Sequence, residues 1–159
     1  MTHKGVLLDT SFFIRFLNES DPLFKNSEGY YKYFIQKEIP MFISTISIAE
    51  YCVIGTINEL PLKDLQIIPF NLSHSKRTGE FARLIFDKKG KLKLQQRNII
   101  PNDTKLFSQA DIEANIGYYL SSDTESKKIY DLLVKEEKPK FQFIDLSNKY
   151  SEVFGVLEI

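Results

Sequence analysis

The chain has 159 residues, 43% hydrophobic and 13% aromatic, which excludes a disordered segment and allows one domain over 1–159 with a real core. Its 21 Lys and Arg balance 21 Asp and Glu, so net charge names no partner and a nucleic-acid surface must be a local patch. One cysteine, Cys52, rules out an internal disulfide, and no apolar run reaches signal-peptide or membrane-spanning length, so a cytoplasmic location without membrane contact is expected.

Taken in chain order, the apolar run Val6–Leu8 reads as a strand and Phe12–Asn18 as the helix that follows. Helical patterning at Ser27–Glu38 leads to a second strand, Met41–Ser44, and to a second helical stretch, Ser47–Asn58. A third strand, Gln66–Phe70, precedes a helix at His74–Phe86; Pro69 confines that strand to a sheet edge or to its own last residues. The segment Asp87–Pro101 is the least regular and reads as a long loop with a β-excursion at Lys91–Leu94. A helix at Asp103–Glu113, a strand at Tyr118–Ser122, a helix at Glu125–Glu137 and a strand at Phe141–Leu146 complete the chain.

Strands alternating with helices predict an α/β fold, a three-layer α/β/α sandwich around a central, mostly parallel sheet of about five strands. Short, continuously apolar strands such as "VLL" and "MFI" fit burial on both faces. In such a sheet ligands bind beyond the carboxyl ends of the strands, the rim where the connecting helices also begin.

Four acids map to that rim. Asp9 follows the first strand; it is a candidate helix cap, but Thr10 or Ser11 could cap equally well. Glu50 follows Ser47 by three residues, the spacing of a capping box, which places it in the first turn of its helix. Asp103 opens a helix whose Leu106, Phe107 and Ala110 fall on its own face at i+3, i+4 and i+7. Asp111 lies about 12 Å further along that axis and about 80° around it, and reads as a solvated surface acid. Asp123 ends the strand "YYLSS", with a helix cap as the competing reading. Clustered carboxylates resist ionising together unless cations compensate them, and a hard divalent ion such as Mg²⁺ suits an all-oxygen donor set. His3 and His74 lack ligand spacing for zinc, Cys52 reads as a buried helix cysteine, and no phosphate-cradling glycine motif occurs.

The pieces "LLDTSFFIRFL", "ISTISIAEY" and "PNDTKLFSQADI…YYLSSD" together resemble the PIN domain, the metal-dependent ribonuclease fold of VapC-like toxins and RNA-processing nucleases. The resemblance implies that Asp9, Glu50, Asp103 and Asp123 are catalytic and hold Mg²⁺ or Mn²⁺. It also implies supporting hydroxyls at Thr10, Ser11 and Ser122, an RNA substrate, and the option of an antitoxin partner or a homodimer. It departs from the toxin pattern where a cation often stands beside the last aspartate: Ser122-Asp123-Thr124 supplies none. The alternative function is a PIN-like module that binds RNA or protein without cutting. A haloacid-dehalogenase-like phosphohydrolase would need a second Asp at position 11, where this chain has Ser.

A candidate RNA surface lies in "DKKGKLKLQQRN", where Lys88, Lys89, Lys91, Lys93 and Arg97 face a single acid, Asp87. Such a run grips phosphates without reading sequence, or is merely a solvated loop. Tyr30-Tyr31 and Tyr118-Tyr119 are candidates for base stacking or for the core. The segment "SKKIYDLLVKEEKPK" reads as an amphipathic surface helix.

Overall fold

The computed structural model describes residues 4–88 and 102–155, the Lys88 side chain excepted. The elements run β1 (Gly5–Leu8), α1 (Thr10–Phe16), α2 (Phe24–Gln36), β2 (Met41–Ser44), α3 (Thr45–Tyr51), β3 (Leu65–Ile68), α4 (Leu72–Lys88), α5 (Asn102–Ile112), β4 (Ile116–Ser121), α6 (Thr124–Glu137), β5 (Gln142–Asp145) and α7 (Tyr150–Phe154). The candidate phosphate-binding residues Lys89, Lys91, Lys93 and Arg97, the Lys88 side chain and the β-excursion at 91–94 lie outside the described residues.

The five strands form one sheet in the order β3-β2-β1-β4-β5, and every pairing is parallel. β3 is an edge strand with Pro69 directly after it, so the ring interrupts no internal ladder. Gly5 opens β1 because there is no room for more: a Cβ would stand 2.6 Å from the Pro40 carbonyl oxygen.

Side chains alternate across the sheet and sort into two cores. Val6, Leu8, Met41, Ile43 and Leu120 join Phe12, Phe13, Tyr30 and Phe34 from α1 and α2 on one face. Leu7, Phe42 and Tyr119 join Phe81, Phe107 and Leu133 from α4, α5 and α6 on the other. Stacking of Phe12 on Phe16 (5.4 Å) and of Phe16 on Tyr31 (4.5 Å) carries the first core from α1 into α2. Leu106, Phe107 and Ala110 are buried as the helical spacing from Asp103 predicts. Among the described residues no helix is long and apolar enough to cross a membrane.

Three local expectations are corrected. The helix after β2 begins at Thr45, two residues before the expected start, because Ser44 at the strand end already caps it: its Oγ accepts from Ile46 N at 3.1 Å. No Ser47–Glu50 capping box forms, and Glu50 stands in the second turn. The same helix stops at Tyr51, where the Gly55 N–H folds back to the Tyr51 carbonyl at 2.9 Å, so Cys52 occupies an exposed turn and not a buried helix face. Asp111 is no surface acid. It is 5% exposed, and its carboxylate accepts from Arg77 Nε (3.0 Å) and from Lys140 N (2.8 Å). Arg77, 34 residues earlier on α4, turns that position inward, and it also pairs with Glu80 and Glu137.

Candidate functional site

The sheet winds from β1 through β2 to β3 in one direction and from β4 to β5 in the other. The connections therefore part between β1 and β4, and such a switch point opens a crevice at the carboxyl ends of the two strands. Asp9 follows β1 there, Ser121 ends β4 with Ser122 and Asp123 directly after it, and Asp103 enters on the first turn of α5.

Asp9 is 5% exposed and held from three sides. As the cap of α1 its Oδ1 accepts from Thr10 N at 2.7 Å. Its Oδ2 accepts from Ser121 Oγ at 2.7 Å and from Ser11 Oγ at 3.0 Å. Those hydroxyls are themselves aimed, because Ser11 Oγ accepts from Ser122 N and Ser121 Oγ accepts from Asp123 N, both at 3.0 Å. Each hydroxyl oxygen thus accepts a backbone N–H and donates its own proton to the carboxylate. Burial pushes the Asp9 carboxyl above its ordinary range, the Glu50 charge adds to that, and the donors from Ser121, Ser11 and Thr10 oppose it.

Glu50 is brought to Asp9 by its neighbour Thr10, whose Oγ1 donates to Glu50 Oε1 at 2.9 Å. A helix capping role is thereby replaced by a link between α1 and α3. Asp103 is pushed from 3.8 to about 6, first by burial and then by the charges of Asp9, Asp123 and Glu50. Ser126 on α6 favours its charged form, yet Ser126 Oγ makes no hydrogen bond of ordinary length among the described residues. Asp123 is exposed and caps α6, accepting at Oδ1 from Glu125 N (2.8 Å) and Ser126 N (3.4 Å). Capping and proximity to Asp103 thus coexist in one side chain.

Asp103 thus feels the other three predicted acids and Asp9 feels Glu50, while Asp111 is engaged elsewhere. Among the described residues no three His, Cys, Asp or Glu side chains stand close enough together to hold a metal ion between them. The predicted supporting hydroxyl of Ser122 accepts from Arg15 Nε at 3.3 Å. Ser121, the last residue of β4 and not singled out from sequence, is the β4 hydroxyl that donates to Asp9. Arg15, also missed from sequence, brings a cation from α1 to the residue beside Asp123; it is anchored by Asp21 at 3.0 Å. Tyr118 and Tyr119 pack in the two cores, as does Tyr30, and Tyr31 is half-buried against Phe16.

No family model and no curated protein matches the sequence. Solved structures do match the fold. VapBC2 from Rickettsia felis, described as bound to a promoter DNA fragment, is 23% identical with a TM-score of 0.59, over 88% of this chain and 97% of that one. FitAcB from Neisseria gonorrhoeae is 15% identical with a TM-score of 0.61, over 90% and 99%. VapC20 from Mycobacterium tuberculosis, described as a toxin cleaving the sarcin-ricin loop, is 12% identical with a TM-score of 0.51, over 78% and 94%. With its five parallel strands and its helices on both faces, the chain has the PIN-like α/β/α fold of the VapC-type toxins.

Proposed function

We propose that this chain is a ribonuclease of the VapC type that hydrolyses RNA phosphodiesters with Mg²⁺ or Mn²⁺. The observation that carries the reading is the meeting of Asp9, Glu50, Asp103 and Asp123 from four separate segments at the switch point, with Asp103 held near 6. An acid raised by burial and by three neighbouring acids marks a place where negative charge exceeds what the fold neutralises. The donor set fits a hard divalent ion: all-oxygen, partly buried, and without histidine or cysteine.

Asp9 and Asp103 are the principal ligands in this reading, Glu50 a ligand or the residue that orients water, and Asp123 completes the set. When bound, such an ion activates water and stabilises charge on a phosphodiester. The protein's own contribution is orientation. Ser11 and Ser121 lock the Asp9 carboxylate, and Thr10 holds Glu50 toward the same centre. Arg15, beside Ser122, is placed to meet an RNA phosphate at the edge of the acids. An antitoxin protein is the partner class we infer, since similar structures are VapBC and FitAB assemblies.

Cleavage of a pool of labelled single-stranded RNA in Mg²⁺, Mn²⁺ or EDTA tests the reading. Cutting should require metal, vanish in Asp103→Asn and survive in the folded fraction of Asp111→Asn. RNA binding without cutting in either metal would assign a non-catalytic PIN-like module instead.

A further inference from the structure

One buried polar group near the acids has no role in the reading above. Tyr119, on β4, is 0% exposed, and among the described residues its hydroxyl makes no hydrogen bond of ordinary length, although the Asp9 carboxylate is near enough to act on it as a hydrogen-bonding neighbour. Its ring meets Phe107 edge-on at 4.9 Å and packs on Phe143 at 5.6 Å. Phe107 stands one helical turn after Asp103 and shares its face. Along β4, Tyr119 and Ser121 share a face, and Ser121 Oγ holds Asp9 Oδ2 at 2.7 Å. The Asp9 N–H itself donates to the carbonyl of Leu120, the residue between them, at 3.1 Å. The phenol is therefore bracketed by the two acids. Burial pushes its ionisation well above 10, and Asp9, Asp103 and Glu50 push it further, so it is a donor at every relevant pH.

Packing does not explain the hydroxyl. The neighbouring ring positions Phe107, Phe141 and Phe143 are all phenylalanine, and a buried donor left unpaired is destabilising where phenylalanine would not be. A ligating carboxylate, by contrast, needs donors on the oxygen lone pairs that turn away from its cation, and these outer partners tune affinity. We propose that Tyr119 is a positioning residue whose Oη–H donates to the Asp9 carboxylate when a divalent cation occupies the site, fixing the ligand's orientation. The inference rests on the metal-dependent reading proposed above.

Mn²⁺ binding to wild type, Tyr119→Phe and Tyr130→Phe, followed by the electron paramagnetic resonance of free Mn²⁺, tests it without recourse to activity. Tyr119→Phe should bind Mn²⁺ about 10- to 100-fold more weakly and melt in EDTA no lower than wild type. Tyr130→Phe should bind as wild type does, although it loses its own bond to the Phe141 carbonyl (2.9 Å) in the same aromatic cluster. Tyr119→Leu, also free of the hydroxyl, serves in its place if Tyr119→Phe does not fold. Equal affinity in wild type and Tyr119→Phe overturns the positioning role and leaves the metal reading standing, and so does equal weakening in Tyr130→Phe. A wild type that binds no Mn²⁺ overturns both.

Discussion

Removing the charge at position 103 should make the metal-free protein more stable while abolishing its activity. Asp103 ionises at about 6 in the folded chain against an ordinary 3.8. Between those values the native state binds more protons than the unfolded state, so stability falls with rising pH. The contribution is fully present below about 3.8 and is lost as pH climbs through about 6. At ~1.4 kcal/mol for each pH unit, the charged carboxylate destabilises the fold by about 3 kcal/mol at pH 7.5. Asp9 and Asp103 repel each other, so the observed midpoint belongs to the cluster as a whole. Asp103→Asn keeps the shape and removes the charge. In EDTA at pH 7.5 it should melt about 5–10 °C higher than wild type, and at pH 4 the two should nearly coincide. Saturating Mg²⁺ should reverse the order, since binding to the native state stabilises only a chain that retains the ligand. Differential scanning fluorimetry across pH, with EDTA or Mg²⁺, reads all of this. A variant no more stable than wild type at pH 7.5 in EDTA, or a gain that does not change with pH, would refute the reasoning.

Ser121→Ala should lower RNA cleavage at limiting Mn²⁺ and cost about 1–2 kcal/mol of stability, because it removes one of the two hydroxyl donors to Asp9 Oδ2 and leaves the Asp123 N–H unpaired; Ser122→Ala should do neither. Urea denaturation with a metal titration separates the two. Asp111→Asn should destabilise the chain by about 2–4 kcal/mol by leaving Arg77 without its buried partner, yet the folded fraction should retain full specific activity. Cys52→Ser should shift stability by less than about 0.5 kcal/mol, and the free thiol should react with a maleimide in the native state, since the residue is an exposed turn position.

Much of the architecture was legible along the chain. Five apolar runs mark the five strands to within two residues at either end, because strand and helix periodicities are written in neighbouring residues. The face of α5 was legible for the same reason: Leu106, Phe107 and Ala110 follow Asp103 at helical spacing. The positions of Asp9, Asp103 and Asp123 next to strand ends or helix starts were readable too, since a rim is defined by local boundaries.

What depended on distant partners was not readable. Either Ser44 or Ser47 can cap a helix, and only the end of β2 selects Ser44 and moves Glu50 into the second turn toward Thr10. Asp111 looks solvated until Arg77 on α4 closes over it, and Arg15 is an ordinary surface residue until β4 brings Ser122 beside it. The order β3-β2-β1-β4-β5 joins segments more than 100 residues apart, as in the Ser121–Asp9 bond. By itself the sequence determined which carboxylates stand at the ends of local elements. The tertiary structure decided which of them share a field, because burial and mutual repulsion depend on distances that the chain sets only when it closes on itself.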